Sequence, residues 1–275
     1  MMRWAVGLIS LLAATMSFAK DNVTWLIQDF PPSFIIDGPW AGEGILDLEL
    51  RYLIERMPDF NHVITVATVP RSWNQIAHGD ANCLAAALKT DTRMNKAVWS
   101  RAVAVGLMPG LIIKSDQAPR FAAVRDASGA VDLNKLAARD DLHGAYQNGR
   151  SYGPTIDGYI QRNDRMQGVQ NPRQTFQMLG SGRIDYTFDF PFEGPYYRVE
   201  TSVDVPTTTL PIIGEQRYVF AYVACSDGPV GRKVVGEVDE ILGTATVQLP
   251  YFRRGARWYD PQDFAELMQV TDWPR

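Results

Sequence analysis

The feature that most limits what this chain can become is an alternation, run through twice, of short β-rich segments with segments whose apolar residues recur at helical spacing. Residues 23–28 read as a strand. Over 45–57, Leu46, Leu50, Leu53, Ile54 and Met57 share one helical face, and Pro58 stops the helix. Residues 63–69 form the next strand, Ser72 caps a short helix that ends at Gly79, and 82–88 reads as a buried strand. An apolar stretch over 103–113 is broken at Pro109-Gly110. Strand, helix, strand, helix, strand is the pattern of a doubly wound α/β sheet. A second series follows: a helix opened by Asp132, a strand at 142–147, a helix at 154–163, a helix begun by Asn171-Pro172 and ended by Gly180, and a strand at 184–190. A strand at 219–224, a helix at 231–242 and a last helix at 261–268 then return to the patterning of the first unit. Two α/β lobes in series, or one inserted in the other, both fit; insertion is the better expectation. It gives lobe 1 residues 20–110 and 206–275, and lobe 2 residues 111–205. Two hinge strands would cross near Pro109-Gly110 and Val205-Pro206.

The first 19 residues stand apart. Met1-Met2-Arg3 is a short positive start, Trp4 to Met16 is mostly apolar, and Ser17-Phe18-Ala19 puts small residues at a cut after Ala19. This is the form of a secretory signal peptide, too short for a membrane span. Export to the periplasm is therefore expected. The 275-residue chain carries a net charge of −4 with its charges well mixed, which argues against nucleic acid as a partner. His62, His78 and His143 lie without ligand spacing, so neither metal nor cofactor is expected. The two cysteines, Cys83 and Cys225, are either buried thiols or, as an oxidising compartment favours, a structural disulfide.

The first strand ends in Asp29-Phe30-Pro31-Pro32, and Phe34 and Trp40 follow in the same loop. Such a loop either caps a core or walls the mouth of a site. Ligands of open α/β sheets sit beyond strand carboxyl ends, and prolines stiffen the chain there, so Phe30, Phe34 and Trp40 are candidates for an aromatic wall.

Several motifs then fall in a recognisable order. After Asp29-Phe30-Pro31-Pro32-Ser33-Phe34 come Gly42-Glu43-Gly44-Ile45-Leu46-Asp47-Leu48, then His78-Gly79-Asp80-Ala81, Lys89-Thr90-Asp91-Thr92-Arg93, Trp99-Ser100, and Gly182-Arg183-Ile184-Asp185. In this order the chain resembles the periplasmic solute-binding proteins of family 3, the amino-acid-binding group with the type II two-lobe fold, as a divergent branch. The resemblance spans nearly all of the chain after residue 19. It implies a ligand in the interlobe cleft, with closure by hinge motion.

Read against the family pattern, Arg93 stands where an arginine clamps the ligand carboxylate, a task suited to the planar guanidinium fork. Thr90 would add a polar contact. Arg150 and Ser151 lie in the turn before the helix at 154, where free N–H groups can hold an anion. Arg71, at the start of another helix, is a lower-ranked candidate of the same kind. Asp189 is the candidate for a ligand ammonium, one residue earlier than the family's aspartate, with Asp29 and Glu193 as alternatives; Asp185 reads as structural. The resemblance implies a non-enzymatic, monomeric binding protein for an amino acid or small carboxylate, serving a membrane transporter or a sensor. The alternative is an exported dehydratase of prephenate- or arogenate-like acids on the same scaffold, with Asp29, Asp189 or Glu193 as proton-transfer group. A third class is a partner-binding protein that closes on no small ligand.

Overall fold

The computed structural model describes residues 20–202, 204–243 and 250–270; the signal-like segment 1–19 lies outside them. Two five-stranded sheets organise the chain. The first contains β1 (Asp21–Ile27), β2 (Phe60–Val66), β3 (Asn82–Ala87), β4 (Val98–Leu107) and β10 (Tyr218–Cys225), in the order β2-β1-β3-β10-β4. The second contains β5 (Gly110–Lys114), β6 (Gly144–Gln147), β7 (Gln167–Val169), β8 (Tyr186–Asp189) and β9 (Thr207–Leu210), in the order β7-β6-β8-β5-β9. Each sheet has a parallel trio, β2-β1-β3 or β7-β6-β8, followed by an antiparallel strand, β10 or β5, that lies next to a crossing between the lobes. The middle of the chain is thus inserted in a lobe made by its two ends.

The helices are α1 (Ile45–Ile54), α2 (Val69–His78), α3 (Leu133–Ala137), α4 (Pro154–Arg162), α5 (Pro172–Gly180), α6 (Glu193–Glu200), α7 (Pro229–Leu242), α8 (Pro250–Arg254) and α9 (Pro261–Leu267). Caps read from sequence are made. Asp132 Oδ1 accepts from Asn134 N at 2.9 Å, and Asn171 Oδ1 accepts from Gln174 N at 3.0 Å. Ser72 is a correction: α2 starts earlier, with Thr68 as N-cap and Pro70 in its first turn, which leaves Ser72 buried inside the helix.

The return crossing is a second correction. Thr207–Leu210 pairs with β5 in register Lys114↔Thr207 to Leu111↔Leu210 and Ile212 packs in the lobe 2 core, so lobe 2 reaches past residue 205 and the chain crosses back over 214–217. Pro206 does not end the lobe. It stands before the first strand residue, where no ladder N–H is needed, and its carbonyl accepts from Ser115 N at 2.9 Å.

Each lobe has its own apolar core. Val23, Trp25, Leu53 and Val238 centre the first, and Leu111, Phe121, Ile156 and Phe188 the second. A disulfide joins Cys83 to Cys225 across the β3–β10 pair in the first core. A third cluster bridges the lobes. Phe192 at the start of α6 packs edge-on against Tyr259, with ring centroids 5.8 Å apart, and Tyr196 packs against Trp258 at 5.3 Å.

Candidate functional site

The loop after β1 is fixed from below. Asp47 in the first turn of α1 accepts from Gly44 N at 3.0 Å and from Ile35 N at 2.9 Å, which ties the loop to the helix start. Gly44 has to be glycine. A Cβ there would fall 2.9 Å from the Pro32 carbonyl oxygen and closer still to that of Ser33. This holds Asp29, Phe30 and Pro31 at the carboxyl end of β1, facing the carboxyl ends of β6, β7 and β8 in the other lobe.

Between the lobes lies a cavity of about 340 Å³. Asp29, Phe30, Pro31, Ile35 and Asp37 line it from lobe 1. Gln147, Arg150, Asn171, Pro172, Arg173, Tyr196, Tyr197 and Glu200 line it from lobe 2. Phe30 also borders a more apolar cavity of about 180 Å³ that reaches Leu88, Val105 and Phe190. Parallel strands of both sheets direct their carboxyl ends here, which is where open α/β sheets present side chains to ligands.

Beneath the larger cavity lies a buried charge cluster. Arg150 Nη2 is 2.8 Å from Asp189 Oδ1, and it also donates to Glu193 Oε1. Arg150 Nη1 reaches Glu193 Oε2 at 3.3 Å and Gln147 Oε1 at 3.4 Å. Asp189 is 2% exposed and Glu193 0%, while the Arg150 side chain keeps 13%. The faces of three rings surround the guanidinium: Phe30 at 5.0 Å, Tyr152 at 5.5 Å and Phe190 at 5.6 Å. Burial raises both carboxyls above their ordinary range. For Glu193 the adjacent Asp189 charge adds to the rise, while Arg150 opposes it at both acids. Of the two, Glu193 is pushed up the more strongly, and Arg150 lies against both.

The turn before α4, read from sequence as an anion site, is occupied by the protein's own carboxylates. Asp157 accepts from Tyr152 N at 2.8 Å and from Ser151 Oγ at 2.5 Å, and Glu215 Oε1 accepts from Thr155 N at 3.0 Å. Gly153 makes this fit. Its φ of +108° is one that other residues avoid, and a Cβ there would meet the Glu215 carboxylate at 3.2 Å.

The remaining expected residues are scattered. Phe34 is buried in the lobe 1 core and touches only the smaller cavity. Trp40 packs edge-on against Trp258 at 5.8 Å. Arg93 lies 5.1 Å from the ring of Trp73, Thr90 closes the turn before it, and Arg71 is exposed in the first turn of α2. Trp40, Arg71, Thr90, Arg93 and Ser151 line neither of these two cavities. Asp29, Phe30 and Arg150 are brought together, with Asp189 behind Arg150. Sequence reading missed Asp37, Gln147, Asn171, Arg173, Tyr196, Tyr197 and Glu200. Asn171 was visible only as a cap. The last three sit on α6, which the pair Gly194-Pro195 disguises as a turn although proline is tolerated in a helix's first turn.

No protein-family model and no curated protein matches the chain. Solved structures do. An ancestral cationic amino acid solute binding protein matches at TM-score 0.63 and 15% identity, over 87% of this chain and 96% of that one. A probable amino-acid ABC transporter extracellular-binding protein from Bacillus subtilis matches at TM-score 0.62 and 13% identity, over 87% and 99%. A histidine kinase sensor domain with similarity to periplasmic binding proteins matches at TM-score 0.56 and 15% identity, over 86% and 95%. The chain has the type II periplasmic-binding-protein fold. Its likeness to amino-acid-binding proteins and to a sensor domain is one of fold, at low identity.

Proposed function

We propose that this is a periplasmic, monomeric solute-binding protein, not an enzyme, whose lobes close on a small polar solute for delivery to a membrane transporter or report to a sensor. The observation that carries this reading is the 340 Å³ cavity at the strand carboxyl ends, with lining groups contributed by both lobes. Asp29 and Asp37 offer acceptors to a solute's donors; Gln147, Asn171 and Arg173 offer donors to its acceptors. An amino acid fits this arrangement with its ammonium toward Asp29. Arg93, outside the cavity, can clamp a carboxylate only through a rearrangement of its contact with Trp73. A dehydratase is the weaker reading, since Glu193 is fully buried behind Arg150 and Asp29 is the only one of the three candidate acids at the cavity wall.

The test is thermal unfolding of residues 20–275 with amino acids, small carboxylates and prephenate. Asp29→Asn, Arg173→Ala and Arg93→Ala are run beside the parent. A solute at a hundred times its Kd adds about 2.7 kcal/mol. The expected result is a rise with an amino acid or other polar solute that is lost in Asp29→Asn. A flat panel from folded protein overturns the reading, and turnover of prephenate favours the dehydratase.

A further inference from the structure

Two buried carboxylates side by side at the floor of a cleft call for a cation, and the chain supplies its own. Arg150 reaches them from a turn between Gly149 and Gly153, both at positive φ, on the cavity side, while the acids lie behind it. Its guanidinium meets both Glu193 oxygens with its two Nη atoms and Asp189 with one of them. It also lies over Phe30, which belongs to the other lobe. This is how a bound guanidinium ligand would be received: a forked acid partner, aromatic faces, and contacts from both lobes.

We infer that the Asp189–Glu193 pair is a cation subsite in the cleft floor and that Arg150 is its built-in occupant, so that Arg150 sets specificity by keeping a solute's own ammonium or guanidinium off this pair. The inference rests on the proposed solute-binding cleft only for its meaning to selection; the subsite itself rests on the contacts of Arg150. The subsite differs from a closed ion cluster in access: with Arg150 truncated, a diffusible cation must be able to reach the acids from the cavity that Arg150 lines. Truncation to alanine opens the acid pair to the cavity that Arg150 now lines.

Arg150→Ala in residues 20–275 is compared with the parent by thermal unfolding in millimolar methylguanidinium, ethylammonium or methylurea. The variant should melt below the parent, and methylguanidinium should raise its melting temperature saturably, by about 5 °C at a hundred times Kd. Neutral methylurea should not, and the parent should not respond to either. If Arg150→Ala fails to fold, refolding in methylguanidinium against methylurea replaces the scan, with Arg150→Lys as a variant that keeps a shorter cation. Recovery with the guanidinium alone supports the subsite. No cation-specific recovery in either variant, or an equal response in the parent, overturns it and leaves a structural ion cluster. Because no solute enters this assay, cation rescue beside a flat solute panel would retain the subsite and remove the proposed function. The reverse pair of results would do the opposite.

Discussion

Glu49 in lobe 1 and Glu193 in lobe 2 are both 0% exposed, yet they are housed in opposite ways. Glu49 sits on α1 near Tyr251, and among the described residues neither of its carboxyl oxygens has a hydrogen-bond partner. Glu193 shares a guanidinium with Asp189. Burial raises the pKa of both well above the carboxylate range, at Glu49 as the sole cause and at Glu193 against the pull of Arg150. Replacing a buried acid without such a partner strands no other group, whereas changing a paired one strands its partner. Lobe 1 therefore carries its acid as a local cost, while lobe 2 has built its acids into the cleft floor.

The largest expected break in this comparison is Glu193→Leu, which leaves the Arg150 guanidinium with Asp189 alone in a buried site. Urea unfolding should show a loss of roughly 3–5 kcal/mol. Next is the lobe 1 core: Cys83→Ala with Cys225→Ala removes the bridge between β3 and β10 and should cost about 2–4 kcal/mol by the same measurement. Glu49→Gln or Glu49→Leu should instead hold or raise stability at pH 7, by about 1–3 kcal/mol for the leucine, since the unsatisfied oxygens go. The pH dependence sharpens the point. An acid with a raised pKa in the folded state binds its proton more tightly there than when unfolded. Stability thus falls as pH climbs from the ordinary carboxylate range through the raised value. The parent should therefore gain stability on mild acidification from pH 7, and Glu49→Gln should flatten that slope.

The smallest effect lies on α9. Burial and the Asp260 charge push Asp263 up to about 6, with Glu266 adding to the rise and Arg217 opposing it. Asp263→Asn should remove a decline of about 1 kcal/mol between pH 4 and pH 7, allowing for screening of a partly exposed group. Unfolding midpoints at the two pH values check it. An unchanged slope would place the titration elsewhere.

Much of this architecture was legible in the sequence because it is written locally. Helical spacing over Leu46, Leu50 and Leu53, and the caps Asp132 and Asn171, need only neighbours along the chain. The crossing near Val205-Pro206 was misplaced because proline at a strand's first edge looks like proline in a connection, and only the pairing with β5 separates them. Asp29, Phe30 and Arg150 could be picked out as charged and aromatic residues at strand ends. Their partners could not. Arg150 and Glu193 are 43 residues apart, and nothing local shows that the guanidinium turns inward to an acid pair instead of outward to a solute. The same holds for Glu215, which meets the α4 N-terminus from 60 residues beyond Thr155. The turn before α4 and the acid at Asp189, read from the sequence as an anion site and a cation site, are thus met by Glu215 and Arg150 of this same chain.

A double-mutant cycle of Arg150→Met and Glu193→Leu, followed by urea unfolding, tests the buried pairing most directly. Each single change should cost several kcal/mol and the pair much less than their sum, with an interaction energy of about 2–3 kcal/mol. Additive losses, with no coupling between the two positions, would contradict it.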